Sequence, residues 1–372
     1  MDVWREVRRF LLIVAILATG LPTGAAPPLP LLPALGAEQQ VTVSGLSSGG
    51  YMAAQFAVAF SKDVKGVGVI AGGPYGCSQG NVFLATTACS CVIPGACNSP
   101  TPSVLAFQSW NAAQGKAAVN LVDPLDGLKV QRVWMFSGGK DATVRFANVK
   151  ALQLFYVDRD KGHAPPQQVQ LQKLDRAGHG MPILNTPKGV ACSLTAAPFL
   201  NNCADDAAGD LLAWLYPGAA LSTASTETGQ LLDFDQTVYT QGLDYTGLAD
   251  KGYVFVPNAC NVAGAACRLH VVFHGCQQSG ETLDASGMPM GRLFADNAGY
   301  NRWAAGSKIV VLYPQIQPHA TTTPSAYRNN PRGCWDFWGY TRLFPSTGIY
   351  ATNAAPQMLA VVRMIGALQK AH

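Results

Sequence analysis

The sequence predicts an α/β fold in which helices flank a mostly parallel central sheet. Short apolar, β-branched segments alternate with longer segments of helical periodicity along most of the chain. Hydrophobic residues make up 48% of the 372 residues, as is usual for a chain with an extensive packed core. Strands separated by helices are expected to pair in parallel, because a crossover connection returns the chain to the same end of the sheet.

The N-terminal segment is typical of a secretory signal peptide. Met1 to Arg9 carries an excess of arginine, and Phe10 to Leu21 is an almost unbroken apolar run. That run is shorter than the ~20 residues that a membrane-spanning helix needs, and no comparable run follows, so no membrane association is expected. We expect residues 1–37 to be the signal peptide, with cleavage after Ala37, because cleavage after Ala26 would place a proline next to the cut. Residues 38–372 then form a single secreted domain.

The individual elements follow from the apolar pattern. Val41 to Leu46 is apolar and β-branched, which predicts a buried strand, and Gly49 to Phe60 places Met52 and Phe56 on one helical face. Further strands are predicted at Val64–Ala71, Arg132–Phe136, Gln168–Leu174, Gly252–Val256, Leu269–Phe273 and Ile309–Tyr313. Further helices are predicted at Val104–Ala113, Val144–Tyr156, Asp206–Leu215 and Pro356–Leu368.

The charge of the chain limits the kinds of molecule that it is expected to bind. The formal net charge is +4, and outside the leader there is no basic cluster, so nothing indicates binding to nucleic acid. Only 13% of the residues are charged, which favours a neutral binding partner. We expect a monomer.

The ten cysteines of an exported chain indicate disulfides. Their spacing pairs Cys192 with Cys203 and Cys260 with Cys267, and leaves Cys276 and Cys334 as a long-range pair. The other four, whose pairing stays open, are Cys77, Cys89, Cys91 and Cys97. The alternative is a metal site, but the CxxC spacing is missing and the six histidines do not cluster nearby, so we predict neither a metal nor a cofactor.

A Gly-x-Ser-x-Gly motif lies between the first strand and the first helix. Gly45 and Gly49 flank Ser47, as in the nucleophile elbow of α/β-hydrolases, where small residues let the turn tighten until the serine hydroxyl projects from the sheet edge. The backbone N–H of Ser48 would then point at a developing oxyanion. The alternative is a glycine-rich turn with incidental serines.

A catalytic serine needs a base, and the base needs an acid that fixes its tautomer. Asp141 follows the strand "RVWMF" and His179 follows the strand "QVQLQKL", so both lie in loops at carboxyl ends of strands and in the order that α/β-hydrolases use. The alternatives are a helix N-cap for Asp141 and a surface-loop residue for His179. Less well placed candidates are His163, His319, His372, Asp158, Asp160 and Asp175.

The chain order departs from that of a usual α/β-hydrolase, in which several strands precede the nucleophile. Here these strands follow it, and the strand "LHVVF" leads directly into His274-Gly275-Cys276, which matches the His-Gly loop that supplies the second oxyanion donor. The sequence therefore predicts a circularly permuted α/β-hydrolase fold, a rearrangement tolerated where termini lie close together. We expect the N–H of Cys276 to be that donor, and His274 to be structural or, alternatively, the base.

Taken together, several motifs resemble the circularly permuted, single-domain poly(3-hydroxybutyrate) depolymerases from about Val41 to the C-terminus. They are "VSGLSSGGYMAAQ", "AGGPYGC", the Asp141 loop, "CSLTAAPFLNNC", "LHVVFHGC", "NAGYNRWA", "VLYPQ" and "GCWDFWGY". The resemblance implies a serine esterase that cleaves this polyester and its oligomers. It implies these roles: Ser47 as nucleophile, Asp141 and His179 as the other triad members, Ser48 and Cys276 as oxyanion donors, and Trp335 as a substrate-contacting aromatic.

Two departures and two alternatives remain. The four cysteines between Cys77 and Cys97 exceed what the family pattern leads us to expect, and no separate binding module follows the catalytic domain. Adsorption to a solid polymer would then use the catalytic face, with the aromatic segment from Cys334 to Tyr340 as its best candidate, although any one of these aromatics could be core. The alternative functions are an esterase for small soluble or phenolic esters with the same triad, and a non-catalytic binder that kept the fold.

Overall fold

The computed structural model describes residues 27–93, 95–157, 164–219, 221–223, 228–322, 327–342 and 349–371. The first 26 residues of the predicted leader, and the weaker candidates His163, His372, Asp158 and Asp160, lie outside these ranges. In the described ranges, no helix is both long enough and apolar enough to cross a membrane.

The structure contains the predicted elements and several that the sequence did not indicate. The strands are β1 Val41–Leu46, β2 Val64–Ile70, β3 Arg132–Gly138, β4 Val169–Leu174, β5 Met181–Ile183, β6 Val190–Ala191, β7 Leu200–Asn202, β8 Gly229–Asp235, β9 Lys251–Pro257, β10 Arg268–Phe273 and β11 Ile309–Tyr313. The α-helices are α1 Ser48–Ala59, α2 Val82–Leu84, α3 Pro102–Ala117, α4 Phe146–Val157, α5 Ala207–Leu215, α6 Thr237–Thr240, α7 Leu293–Asn297, α8 Tyr300–Ser307 and α9 Pro356–Gln369. A π-helical turn spans Ala85–Cys89, and 3₁₀ turns span Leu125–Val130, Pro166–Gln168, Asn258–Cys260 and Ile349–Ala351.

An eight-stranded sheet in the order β4-β3-β2-β1-β10-β11-β9-β8 forms the centre of the fold. In this spatial order, the first six strands, β4, β3, β2, β1, β10 and β11, pair in parallel. The last two, β9 and β8, add an antiparallel edge. The predicted mostly parallel α/β sheet is thereby confirmed. Because carboxyl ends of parallel strands meet at one edge, the loops after β1, β3, β4 and β10 converge there.

The sheet also accounts for the predicted permutation. When the strands are renumbered from β8 in chain order, the spatial order of the sheet becomes 1-2-4-3-5-6-7-8, with β1 as the fifth strand. Four strands then precede the strand that carries the Gly-x-Ser-x-Gly motif. The helix α9 ends beside the segment before β1, since the side chain of Gln369 donates to the carbonyls of Glu38 and Gln39, each at 3.0 Å. The ends that a permutation must join therefore lie in contact.

Helices pack closely on the buried sheet because the strands carry small residues where a helix crosses them. A Cβ atom added to Gly68 in β2 would lie 2.1 Å from the side chain of Leu211 in α5. On the neighbouring strand, all six residues of β1 are buried, and α1 is buried along its whole length. The two elements that join at Ser47 are therefore held rigidly by the core.

The segment before β1 lies against the folded domain, although the sequence assigned it to the leader. Leu35 is 1% exposed and Ala37 is 3% exposed, and the N–H groups of both donate to the carbonyl of Leu368 in α9, at 3.2 and 3.1 Å. Pro30 accepts a 2.8 Å bond from the N–H of Asp235 in β8. Cleavage after Ala37 would remove these contacts, and the cleavage site stays a prediction.

Five disulfides are present, as predicted. The three pairs expected from spacing are Cys192–Cys203, Cys260–Cys267 and Cys276–Cys334. The four clustered cysteines pair as Cys77–Cys89 and Cys91–Cys97. The long-range bridge matters most for the site, because it joins the loop after β10 to the aromatic segment that follows Cys334.

Candidate active site

Ser47 lies in a strained turn between β1 and α1. Its φ of 57° and ψ of −119° fall where residues other than glycine are uncommon. The flanking glycines make this turn possible: a Cβ on Gly45 would lie 2.2 Å from the carbonyl oxygen of Gly49, and one on Gly49 would lie 2.1 Å from that of Phe273. The geometry is that of a nucleophile elbow, in which a sharp turn exposes the serine hydroxyl at the sheet edge.

Asp141 and His179 meet at the same edge. Their side chains form a buried hydrogen bond of 2.8 Å between Nδ1 of His179 and Oδ2 of Asp141. The other carboxylate oxygen of Asp141 accepts the N–H groups of Thr143 and Val144, both at 2.8 Å, so the carboxylate is fixed in its loop. These bonds lie ahead of α4, which begins at Phe146, so Asp141 does not cap that helix as the alternative expected. Its role as triad acid stays a prediction.

Ser47 and His179 line one cavity of about 370 Å³ at the carboxyl edge of the sheet. Its other walls come from the loops after β3 and β10 and from the segment before β7. The lining residues are Leu46, Ser47, Val92, Thr143, His179, Thr195, Ala196, Ala197, Phe199, Gly275, Cys276, Gln277, Gln278 and Arg332. Since Nδ1 of His179 faces Asp141, its Nε2 is the ring nitrogen left for a reacting group.

The two predicted oxyanion donors belong to the residue after Ser47 in the chain and to a residue that lines the same cavity. Ser48 begins α1, where the first N–H groups of a helix have no intrahelical partner, and the N–H of Cys276 has no hydrogen-bond partner among the described residues. The next residue along, Gln277, donates its N–H to the carbonyl of Arg332 at 2.7 Å. Together with the bridge from Cys276 to Cys334, this bond fixes the loop that presents the second N–H.

His274 is held by both ring nitrogens. Nδ1 lies 2.7 Å from the carbonyl oxygen of Gly275, and Nε2 accepts the N–H of Ile316 at 3.3 Å. Burial lowers the pKa of His274 to about 4, so the ring is neutral at pH 7. These contacts favour the structural role over the alternative role as base.

The weaker acid and base candidates are occupied elsewhere or lie on the surface. The side chain of Asp175 is 85% exposed and pairs with Lys173 at 2.5 Å, and His319 is exposed. Asp336 is buried and accepts the N–H groups of residues 338 to 341 and the hydroxyl of Thr341, and burial raises the pKa of its carboxyl. Asp336 therefore organises the loop after Cys334.

Trp335, which was predicted to contact substrate, is buried in this structure, and its contact with substrate stays a prediction. Its side chain is 0% exposed and packs edge-on against Phe273, with ring centroids 4.8 Å apart. Because Cys334 is tied to the loop after β10, the next residue is drawn under that loop and into the core. Two residues farther on, Phe337 stacks on Tyr51 at 4.6 Å, and Trp338 borders a neighbouring groove.

A serine–histidine contact lies deep inside the sheet, between β1 and β10. The ring of His270 in β10 bridges the hydroxyls of Thr42 and Ser44 in β1, at 2.6 and 2.8 Å, and Ser44 also contacts the hydroxyl of Tyr300. Ser44 and His270 are each 0% exposed, so substrate cannot reach them. This network satisfies buried polar groups between two central strands.

The buried histidines predict acid-sensitive stability. Burial lowers the pKa of His270 to about 3 and that of His274 to about 4, whereas an unfolded histidine titrates near pH ~6.5. The unfolded chain therefore binds two protons that the folded protein excludes, and stability is lost as the pH falls below ~6.5. We expect the free energy of unfolding, measured by urea titration, to be about 4 kcal/mol lower at pH 5 than at pH 7.5.

His319→Gln is the matched control for that titration, because this histidine is exposed. The variant should show the same loss of stability as the unaltered chain. Equal urea midpoints at pH 5 and pH 7.5 for the unaltered chain would contradict the prediction.

Gln278 is a cavity residue that the sequence reasoning did not single out. Gln278 is 2% exposed, and its side chain bonds to the N–H of Gly275 in the loop after β10 and to the carbonyl of Pro198 in the segment before β7. The only feature of the sequence that could have indicated Gln278 is its position two residues after Cys276. A glutamine at that position belongs to no motif.

Comparison with known proteins places this geometry in a family. No family model matches the chain. It is 36% identical over 338 residues to a poly(3-hydroxybutyrate) depolymerase of Delftia acidovorans, covering 90% of this chain but only 60% of that protein's length. It is 33% identical over 336 residues to a polyhydroxybutyrate depolymerase of Talaromyces funiculosus, covering 87% of this chain and 88% of the relative.

Solved structures agree with the sequence relatives. The crystal structure of the PHB depolymerase from Penicillium funiculosum superimposes with a TM-score of 0.75 at 29% identity, covering 91% of this chain and 98% of that one. The same values hold for a serine-to-alanine PHB depolymerase variant complexed with an R3HB trimer. The agreement in sequence over most of both chains, and in fold, shows that this chain belongs to the poly(3-hydroxybutyrate) depolymerase family.

Proposed function

We propose that the chain is a serine esterase that hydrolyses poly(3-hydroxybutyrate) and its oligomers. The observation that carries the proposal is the buried His179–Asp141 hydrogen bond of 2.8 Å, together with an elbow serine that lines the same cavity as His179. A non-catalytic binder has no need to keep a strained Ser47 in the same cavity as an oriented histidine. The relatives' names supply the polymer, and the geometry supports the ester chemistry.

In the proposed reaction, Oγ of Ser47 attacks the ester carbonyl carbon while its proton passes to Nε2 of His179. Asp141 stabilises the imidazolium through its bond to Nδ1. The oxyanion of the tetrahedral intermediate accepts hydrogen bonds from the backbone N–H groups of Ser48 and Cys276. The ester C–O bond then breaks, and the leaving alkoxide takes the proton from His179 and departs as an alcohol. Water next attacks the carbonyl carbon of the acyl group on Ser47 while His179 takes its proton. The bond to Oγ of Ser47 breaks, Ser47 recovers the proton from His179, and the acid is released.

A groove beside the cavity supports a chain-like substrate. It has a volume of about 330 Å³ and shares Val92, Cys276 and Arg332 with the catalytic cavity. Its lining is largely apolar and includes Ile93 and Trp338. A polyester of short hydroxyacid units is uncharged along its length, so an apolar groove continuous with the cavity suits the units that flank the scissile ester.

The compartment is also part of the proposal. Five disulfides suit an oxidising environment, and the apolar leader supplies the export signal that such an environment requires. We therefore place the protein outside the cytoplasm, as a secreted enzyme of one catalytic domain.

Clearing of a poly(3-hydroxybutyrate) suspension tests the substrate, with p-nitrophenyl butyrate as the small ester. The variant Ile93→Ser alters only the groove, and Ile93 is already 41% exposed, so little stability should be lost. We expect clearing to fall about tenfold, because full burial of an apolar side chain of this size contributes roughly 1.5–3 kcal/mol, a partly exposed Ile93 contributes less, and ~1.4 kcal/mol is a tenfold change. Hydrolysis of p-nitrophenyl butyrate should be unchanged.

Equal losses on polymer and small ester would place Ile93 in a structural role and remove the argument from the groove. Full activity on the small ester with none on polymer or oligomer would identify the protein as an esterase for small esters, with the same triad.

A further inference from the structure

Gln278 ties together two walls of the catalytic cavity. Its Oε1 accepts the N–H of Gly275 at 2.7 Å, and its Nε2 donates to the carbonyls of Pro198 and Phe199 at 2.8 and 3.4 Å. The first contact is to the loop after β10, residues 274–278, which we call the oxyanion loop. The other two contacts are to the segment before β7. Gly275 permits the approach, since a Cβ there would lie 2.8 Å from Oε1.

The contacts on the oxyanion loop fix two successive peptide groups. Gln278 holds the N–H of Gly275, and His274 holds the carbonyl oxygen of Gly275 at 2.7 Å. In a trans peptide, that carbonyl and the N–H of Cys276 point in opposite directions. With both peptide planes held, the N–H of Cys276 is left to face the cavity, and no described residue accepts it.

The contacts on the other wall reach the base. Phe199 lines the cavity and packs its ring edge-on against the imidazole of His179, with centroids 6.3 Å apart at 77°. The amide of Gln278 is therefore bonded on one side to the loop that carries an oxyanion donor, and on the other to the segment that packs on His179.

We propose that Gln278 is a positioning residue that sets the N–H of Cys276 relative to His179. This inference rests on the proposed ester hydrolysis, and it assigns the residue no contact with substrate. Loss of the amide frees the Gly275 peptide to rotate and the two walls to move apart. A displacement of about 1 Å at a reacting group can cost ~10²-fold in rate.

Gln278→Met tests the proposal, because methionine has a similar length and cannot make the three bonds. With p-nitrophenyl butyrate we expect kcat to fall 10- to 100-fold, less than the ~10²–10³-fold cost of removing an oxyanion donor altogether, because the N–H of Cys276 is misaligned and not removed. KM should change less than about twofold. If methionine prevents folding, Gln278→Asn carries the same expectation, since its shorter side chain cannot reach both walls.

The matched control is Gln131→Met. Gln131 is also buried and donates Nε2 to two carbonyls, those of Ala57 and Val64 at 2.8 and 3.1 Å, but it precedes β3 at the opposite edge of the sheet. This variant should lower the melting temperature and leave kcat within about twofold.

A Gln278 variant whose kcat stays within twofold, or whose loss appears only in KM, would overturn the proposal. Because the assay uses a small ester, a failure of the polymer substrate leaves this test intact. A fully active Ser47→Ala protein would instead remove the proposed mechanism itself.

Discussion

Ser47→Ala should lower kcat for p-nitrophenyl butyrate by about 10⁶-fold, as removal of the nucleophile does in other serine hydrolases. Ser47 is the residue that the turn after β1 holds at positive φ, and it lines the same cavity as His179. Alanine lacks the attacking hydroxyl but occupies the same small volume, so the fold should be preserved. Initial rates and labelling by a serine-directed phosphonate measure the loss.

Ser48→Ala is the matched control, one residue away. Its hydroxyl accepts the N–H of Trp335 at 3.2 Å, so its removal should cost about 1–3 kcal/mol of stability. The proposed catalytic contribution of Ser48 is its backbone N–H, which alanine keeps, and kcat should stay within about tenfold. Robust phosphonate labelling of the Ser47→Ala protein would show that another residue is the nucleophile.

The order of loops along the chain was enough to predict where the site lies. A parallel sheet brings the carboxyl ends of its strands to one edge, so a serine, an aspartate and a histidine after separate strands can be expected to meet there. The structure brings Asp141 into contact with His179 and places Ser47 in the same cavity. Their catalytic roles stay a prediction until the variants are measured.

Elements with weak patterns escaped the sequence reasoning. The strand β8 lies at the sheet edge with mostly half-buried residues, so its sequence "GQLLDFD" has no clear alternation. The strands β5, β6 and β7 of the small second sheet are only two or three residues long. Such elements form because neighbouring loops are already in place, which a local pattern does not record.

The direction in which side chains point was the second feature that could not be predicted from the sequence. Alternation of residues after Cys334 indicated that one set of aromatics could line a cleft, but did not indicate which set. In the structure the bridge to Cys276 holds Trp335 beneath the loop after β10, where its side chain is buried. The role of Gln278 depends in the same way on three contacts with distant backbone groups.

Asp141→Asn should lower kcat by about 10⁴-fold, the loss seen when a triad acid is neutralised in other hydrolases. Asparagine can keep one oxygen on the N–H groups of Thr143 and Val144, now at 2.8 Å, so the loop should retain its shape. Its NH₂ group would then face Nδ1 of His179, where a donor opposes a donor. The ring responds by moving its proton to Nε2, and in that tautomer it cannot accept the proton of Ser47.

Asp175→Asn is the control for this variant, since Asp175 follows β4 just before His179 but has a largely exposed side chain. It should keep kcat within about twofold. The melting temperature of Asp141→Asn should fall by only a few degrees, because its loop bonds persist, so a large loss of kcat with a small loss of stability identifies the tautomer as the cause. Near-normal turnover by Asp141→Asn would exclude Asp141 as the triad acid. Equal losses of turnover and stability would instead reduce its role to holding the loop.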